Sequence, residues 1–152
     1  MTKAWTIRMP GEASRGLLDT NILVLRRHID PSELPDEAAI SAVTLAELSA
    51  GVHLVEGDDA GARAERARRA DVLQRAENEF DPIPFDTEEA RMFGRISAAV
   101  RAVGRTPRRR VADLMIASVA AAADLPLYTT NPDDFAGLDD LVRVVPVRRP
   151  LQ

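Results

Sequence analysis

Four acidic positions far apart in the sequence are the residues whose chemistry most needs explaining. Asp19 closes a short apolar run, Glu47 falls on the apolar stripe of a predicted helix, and Asp113 is the single acid in an otherwise apolar segment. A fourth polar group, Asn131 to Asp134, follows another apolar run. Carboxylates that share a small pocket raise one another's pKa, so a group of them needs a positive countercharge. Their chemistry therefore depends on whether the fold brings them together.

The alternation of apolar and amphipathic segments predicts one α/β domain, with a central, mostly parallel sheet flanked by helices. Four to five strands are predicted, at residues 16–18, 38–41, 82–85, 125–128 and 141–147. Helices are predicted at residues 22–27, 43–55, 58–80, 86–103 and 111–123. The apolar stripe expected to bury the helix at 43–55 consists of Val43, Ala46, Ala50 and Leu54.

Parallel strands present their carboxyl ends at one edge of the sheet, where ligands bind in open α/β folds. Asp19 follows the first strand, with Thr20 or Asn21 free to hold it in place. Glu47 lies on the helix after the second strand. The 131–134 cluster follows the strand at 125–128, and Asp113 begins the helix that leads into that strand. We therefore expect all four acidic positions to converge on one rim.

The simplest countercharge for clustered carboxylates is a hard divalent cation, Mg²⁺ or Mn²⁺, bound through oxygen ligands. One or two such ions can clamp a phosphate and generate a hydroxide nucleophile. The chain has no cysteine, and its two histidines, His28 and His53, lie in unrelated contexts, so neither a zinc site nor a catalytic triad is expected. Glycine-rich phosphate-binding motifs are also absent from the sequence.

Each acid also has a purely structural interpretation. Asp19 and Asp113 stand where a carboxylate caps a helix and interacts with its dipole, and Glu47 could reach solvent from the edge of its stripe. The only dense basic cluster precedes the helix at 111–123 and ends in Arg108, Arg109 and Arg110. These arginines are candidate contacts to an RNA backbone; the alternative is a solvated loop without contacts.

The composition is that of one ordinary globular domain. The chain has 152 residues, 45% hydrophobic and 29% charged, and its net charge of −4 argues against nucleic-acid binding over the whole surface. No run approaches the ~18 apolar residues of a membrane span, and without cysteine nothing requires an oxidising compartment. We expect a cytoplasmic protein with an N-terminal arm at residues 1–15, which lacks secretory-signal character, and one domain at 16–148.

Four short motifs follow one another between residue 16 and about residue 147: Leu18-Asp19-Thr20-Asn21, Val43-Thr44-Leu45-Ala46-Glu47-Leu48, Val111-Ala112-Asp113-Leu114-Met115-Ile116-Ala117 and Tyr128-Thr129-Thr130-Asn131-Pro132-Asp133-Asp134-Phe135. Together they resemble a PIN domain, and more narrowly the VapC toxins of bacterial toxin–antitoxin pairs. The resemblance implies a Mg²⁺-dependent endoribonuclease, with Mn²⁺ as the alternative ion, that cuts tRNA or rRNA to leave a 5′-phosphate and a 3′-hydroxyl. It also implies a homodimer that a cognate VapB-type antitoxin inactivates in a hetero-oligomer, by placing a basic tail in the acidic pocket.

The resemblance also implies roles for the acids. Asp19 and Asp113 match the family's most reliable metal ligands. Glu47 matches the third acid, which binds the metal directly or through water and helps to position the attacking water. Thr20 is expected to orient Asp19.

The fourth motif is less definite, because the family varies there between Asn and Asp. Asn131 and Asp134 match it, and Asp134 would complete the catalytic acids, although Asp133 is an alternative. Asn131 would hold a metal-bound water or a phosphate without adding charge.

Two other classes of protein share parts of this pattern. A receiver domain phosphorylated on aspartate would need an acid next to Asp19 and a lysine after the last strands, but the only lysine is Lys3. An aspartate-nucleophile phosphatase would need a second Asp two positions after Asp19, but that position is Asn21. A PIN-like module that binds RNA or antitoxin with little catalysis is the third alternative, and the Asn at position 131 leaves room for it.

Overall fold

A computed structural model describes residues 11–151, and within them four strands form one parallel sheet. The strands are β1 (Arg15–Leu18), β2 (Glu37–Ala39), β3 (Leu127–Thr129) and β4 (Val144–Pro146). Their order across the sheet is β2-β1-β3-β4, with β1 and β3 in the centre. The predicted α/β class and parallel sheet are therefore confirmed.

Five α-helices connect these strands: α1 (Thr20–Leu25), α2 (Ala42–His53), α3 (Ala60–Glu79), α4 (Thr87–Ala102) and α5 (Val111–Ala123). Short 3₁₀ turns lie at Arg26–His28, Pro31–Glu33, Pro107–Arg110 and Pro132–Phe135. In the described chain, no helix is both long and apolar enough to cross a membrane.

The last two residues of β1 show how the sheet divides the core. Leu17 and Leu18 are both fully buried, and consecutive strand residues point to opposite faces. Leu17 belongs to a cluster with apolar side chains of α4 and α5, and Leu18 to a cluster with side chains of α1, α2 and α3. Helices therefore cover both faces of the sheet, so its carboxyl edge is the natural place for a site.

Two predicted strands are shorter than expected. The segment at 82–85 contributes one parallel bridge, between Ile83 and Ser41, because two prolines remove the backbone donors that a longer ladder needs. The last strand begins only at Val144, because Leu141 and Val142 both donate backbone hydrogen bonds to Leu138 and so close a turn. At the other end, β1 begins at Arg15, the last residue of the predicted arm; residues 1–10 of that arm lie outside the described residues.

The stripe predicted for α2 is correct only at Val43, which packs against the core. Ala46, Ala50 and Leu54 are exposed, and the buried residues of α2 are Thr44 and Leu48. Alanines bury little apolar surface, so the larger Leu48 and the polar contacts of Thr44 decide which side of the helix faces inward.

The packing of α3 differs from its prediction in a similar way. Its C-terminal half packs through Val72, Leu73 and Ala76, as expected. The alanines at 60, 64 and 67, predicted on the same face, are exposed. The core contacts of α3 are thus confined to its second half.

Gly16 in β1 lies under the ring of Tyr128 in the neighbouring strand, which gives a first prediction. A Cβ at position 16 would stand 2.5 Å from the Tyr128 Cδ1 atom, and closer still to Cε1. Because the ring is held within the sheet, we expect Gly16→Ala to lower the free energy of unfolding by about 1–3 kcal/mol, measured by urea denaturation. Gly94→Ala is the matched control, because no atom lies within 4 Å of its added Cβ. It should stabilise α4 by up to about 1 kcal/mol, and equal effects of the two changes would contradict the close contact.

Candidate functional site

Asp19 occupies the junction at which β1 turns into α1. Its backbone N–H donates to the carbonyl of Tyr128 at 2.9 Å, which completes the pairing of β1 with β3. Its carboxylate Oδ1 accepts a 2.9 Å hydrogen bond from the Thr20 N–H and so caps α1. The capping interpretation of Asp19 is therefore correct, but it accounts for only one of its two carboxylate oxygens.

The second oxygen of Asp19 is held by side chains from two different segments. Its Oδ2 accepts hydrogen bonds from the Thr129 hydroxyl at 2.8 Å and from the Asn21 side-chain amide at 3.1 Å. Asn21 in turn accepts a 3.3 Å bond from the Thr130 N–H. These contacts fix the orientation of Asp19, which is only 3% exposed.

Glu47 reaches the same region from α2. Its Oε1 accepts a 2.6 Å hydrogen bond from the Thr20 hydroxyl, which also shares a 3.0 Å hydrogen bond with the Thr44 hydroxyl. Thr20 therefore touches both acids, Asp19 through its backbone N–H and Glu47 through its side chain. The prediction that Thr20 orients Asp19 is incomplete, because its hydroxyl orients Glu47.

Asp113 lies in the first turn of α5, where its carboxylate makes no hydrogen bond to another described residue. Burial, reinforced by the charges of Asp19, Asp134 and Glu47, raises its pKa to about 6, against the opposing effect of Arg110. Burial also raises the pKa of Asp19, although the hydrogen bonds from Thr129 and Thr20 oppose that rise. The four acids are thus electrostatically coupled, as their sequence positions predicted.

The fourth acid comes from the 3₁₀ turn at Pro132–Phe135, which follows β3. Asp134 faces the other acids and forms an ion pair with Arg110, whereas Asp133 is exposed. Phe135, which is 1% exposed, anchors this turn in the core. Of the two alternatives for this position, the structure brings Asp134 to the site together with Asn131.

These side chains line one open pocket of about 320 Å³ at the carboxyl edge of the sheet. Its lining residues are Asp19, Thr20, Asn21, Val24, Leu25, Glu47, Asp113, Asn131, Asp134 and Arg149. All four predicted acids, with Thr20 and Asn131, are therefore found together.

Two arginines of the predicted basic cluster, Arg110 and Arg108, have different surroundings. Arg110 is paired with Asp134, Arg108 is exposed, and the side chain of Arg109 lies outside the described structure. Arg149, which sequence analysis missed, lines the pocket from the segment after β4. Thr129 was also missed, although it lies within the fourth motif. Asn21 was expected as an alternative to Thr20 for holding Asp19, and it does so through its side-chain amide.

A family model for the PIN domain matches residues 16–141 of this chain. The chain is 37% identical over 136 residues to ribonuclease VapC5 of Mycobacterium tuberculosis, covering 88% of this chain and 94% of the relative. This chain belongs to the PIN domain family, in its VapC group. It is also 34% identical over 111 residues to ribonuclease VapC8 of the same organism, covering 72% of this chain and 94% of that relative.

Solved structures agree with this membership. The crystal structure of VapBC-5 from Mycobacterium tuberculosis, a member of the VapBC family of toxin–antitoxin systems, superimposes with a TM-score of 0.75 at 34% identity. The match covers 88% of this chain and 99% of that chain. The resemblance inferred from the four motifs is therefore confirmed.

The side chains that line this pocket fit a hard divalent cation. Its candidate ligands are carboxylate and amide oxygens, with neither His nor Cys among the lining residues. Within residues 11–151, however, no three Asp, Glu or His side chains already stand close enough to hold a metal ion. Binding of an ion would therefore require the carboxylates to move closer together.

The raised pKa of Asp113 predicts how stability depends on pH in metal-free protein. Because unfolding restores a pKa near 3.8, the unfolded chain releases a proton between about pH 4 and pH 6 that the folded chain keeps, and the free energy of unfolding falls across that range. A rise from 3.8 to about 6 corresponds to about 3 kcal/mol, which solvent in the open pocket reduces to about 1–2 kcal/mol. We therefore expect Asp113→Asn, in EDTA, to be more stable than the unsubstituted protein by that amount at pH 8 and nearly equal at pH 4.

The measurement is urea denaturation across this pH range. Asp140→Asn is the control, because it removes an exposed acid that does not line the pocket. An Asp113→Asn variant that is less stable at pH 8 would show that burial and the neighbouring charges do not destabilise the Asp113 carboxylate.

Proposed function

We propose that this VapC-group protein is a metal-dependent endoribonuclease toxin, with Mg²⁺ as its ion and Mn²⁺ as the alternative. The observation that carries the proposal is the convergence of four carboxylates on one open pocket, with Asp19 and Glu47 fixed there by hydrogen bonds from Thr20, Asn21 and Thr129. Burying an acid in this way lowers the stability of the fold unless a cation binds the carboxylate. Named ribonucleases among its relatives support the reaction class.

Three acids are suited to hold the ion, Asp19 on the β1 side, Glu47 on α2 and Asp113 on α5. When bound, the ion supplies positive charge at a phosphate and a water of lowered pKa. Glu47 would orient the attacking water through the oxygen not engaged by Thr20. Addition of that water at phosphorus would break the P–O3′ bond, and the 3′ oxygen would take up a proton, which leaves a 5′-phosphate and a 3′-hydroxyl.

The remaining polar residues of the pocket act on the substrate. Asn131 can donate a hydrogen bond to a phosphate oxygen without adding charge, and Arg149 offers a cation at the rim. The pocket is open, so it can admit the backbone of an unpaired RNA loop, which is where sequence-specific RNA recognition usually occurs. We propose tRNA or rRNA loops as the substrate class.

The partners follow from the same family. The VapBC-5 structure is that of a toxin–antitoxin family member, and we propose that this chain forms a homodimer that a cognate VapB-type antitoxin neutralises in a hetero-oligomer. The excess of carboxylates in the pocket would accept a basic segment of such an antitoxin. A binding module without catalysis is the second candidate; the presence of Asp134 beside Asn131 weighs against it, because the fourth acid is not lost.

The first test of the proposed function is cleavage of total RNA by purified, antitoxin-free protein with Mg²⁺, with Mn²⁺ or with EDTA. We expect discrete fragments that require the metal, and a loss of at least about 100-fold in rate for Asp19→Asn, because an amide cannot supply the charge that holds the ion. Growth arrest on expression should be lost in the same variant.

Asp140→Asn serves again as the control and should cleave at the unsubstituted rate, because its side chain is exposed and outside the pocket. Wild-type cleavage by Asp19→Asn would mean that the site is misassigned. Intact RNA under every condition would favour the binding module.

A separate prediction concerns Arg149 and RNA affinity. In the Asp19→Asn background with EDTA, Arg149→Ala should weaken RNA binding about three- to tenfold. It should also flatten the slope of log affinity against log salt by about 0.7, the value for one lost contact to single-stranded phosphate.

Arg143→Ala is the matched control, because Arg143 is exposed and precedes β4, at the amino edge of the sheet. It should change neither quantity appreciably. Equal effects of the two substitutions would show that Arg149 contributes only general charge.

A further inference from the structure

The ion pair between Arg110 and Asp134 is a contact of full charges in the pocket that an arriving metal ion would have to compete with. The Arg110 Nη1 atom donates directly to the Asp134 Oδ1 atom. The two side chains are 37% and 29% exposed, so burial alone does not force them together. The backbone segments that carry Arg110 and Asp134 must therefore hold the two side chains next to each other.

Two features of these segments keep the side chains together. Arg110 ends the 3₁₀ turn Pro107–Arg110, which runs without a break into α5, and Asp134 lies in a turn anchored by the buried Phe135. A second hydrogen bond links the residues just before the first turn to the second turn, because the Arg105 Nη1 atom donates to the Asp133 carbonyl at 2.6 Å. Arg110 is therefore placed against Asp134 by the fold.

This placement affects how many cations the pocket can take. Asp19, Glu47 and Asp113 are the acids proposed above for one divalent ion. A second ion would need Asp134, whose Oδ1 atom is held by Arg110. A guanidinium is permanently charged and matches a carboxylate in geometry, so it competes well for that oxygen. It already supplies positive charge directly beside Asp134.

We propose that Arg110 takes the place of a second metal ion, so that Asp134 is not a metal ligand and the pocket binds one divalent cation per chain. Arg110 is then a positioning residue, which acts through Asp134 on the charge of the site. This inference deepens the proposed function and rests on it, because it assumes that the other three acids bind an ion.

The test is the stoichiometry of Mn²⁺ binding to the full, antitoxin-free chain, measured by equilibrium dialysis together with the electron paramagnetic resonance signal of the bound ion. We expect one Mn²⁺ per chain in the unsubstituted protein. Arg110→Gln should bind two, with a spin-coupled signal, because Asp134 becomes free to ligate a second ion. Arg110→Lys should restore one, since it keeps the charge.

Two further variants separate this role from general electrostatics. Arg108→Gln removes an exposed arginine of the same turn that makes no ion pair with a described residue, and it should still bind one Mn²⁺. Asp134→Asn should also keep one equivalent, because it removes no ligand, whereas Asp113→Asn should lose binding.

Each opposite result identifies what has failed. Two equivalents in the unsubstituted protein, one equivalent in Arg110→Gln, or loss of binding in Asp134→Asn would overturn the role of Arg110 and leave the nuclease proposal standing. No Mn²⁺ binding by the folded, unsubstituted protein would overturn both. Measured stoichiometry, unlike activity, does not change when a substitution merely slows the reaction.

Discussion

Repulsion between carboxylates gathered at one edge of a sheet is the constraint that the rest of this structure must satisfy. Parallel topology brings the ends of β1 and β3 together, and with them Asp19 and Asp134. Burial then raises the pKa of Asp19 and Asp113, so the folded state holds acids that are difficult to ionise. Such an arrangement lowers stability in the absence of a cation.

The surrounding residues counter this repulsion in two ways. Asp19 and Glu47 are oriented by hydroxyl and amide donors. Thr129 and Asn21 donate hydrogen bonds to Asp19, and Thr20 donates one to Glu47. On the opposite side a full positive charge, Arg110, is paired with Asp134. Neutral donors orient a carboxylate without removing its charge, whereas an arginine neutralises it. One side of the pocket thus remains available to a cation, and the other is already balanced.

Much of this site was predictable, because its residues occupy positions that depend on local pattern. Asp19 follows an apolar strand, and a polar residue there must lie at the carboxyl edge whichever neighbours the strand has. Helix faces were predicted less well. Most of the expected α2 stripe is exposed. Ala46 and Ala50 bury too little surface for their pattern to fix the orientation of a helix, and Leu54 lies just beyond the last helical residue.

The sequence by itself determined the α/β class, the order of the four motifs and the family, and it identified the acids that converge. Only the tertiary structure decided which of Asp133 and Asp134 enters the pocket, that Arg110 pairs with an acid, and that Arg149 reaches the rim from beyond β4. The physical reason is the range of the interactions involved. Strands and helices follow from neighbours within a few residues, whereas a pair 24 positions apart depends on how two turns are anchored in the core.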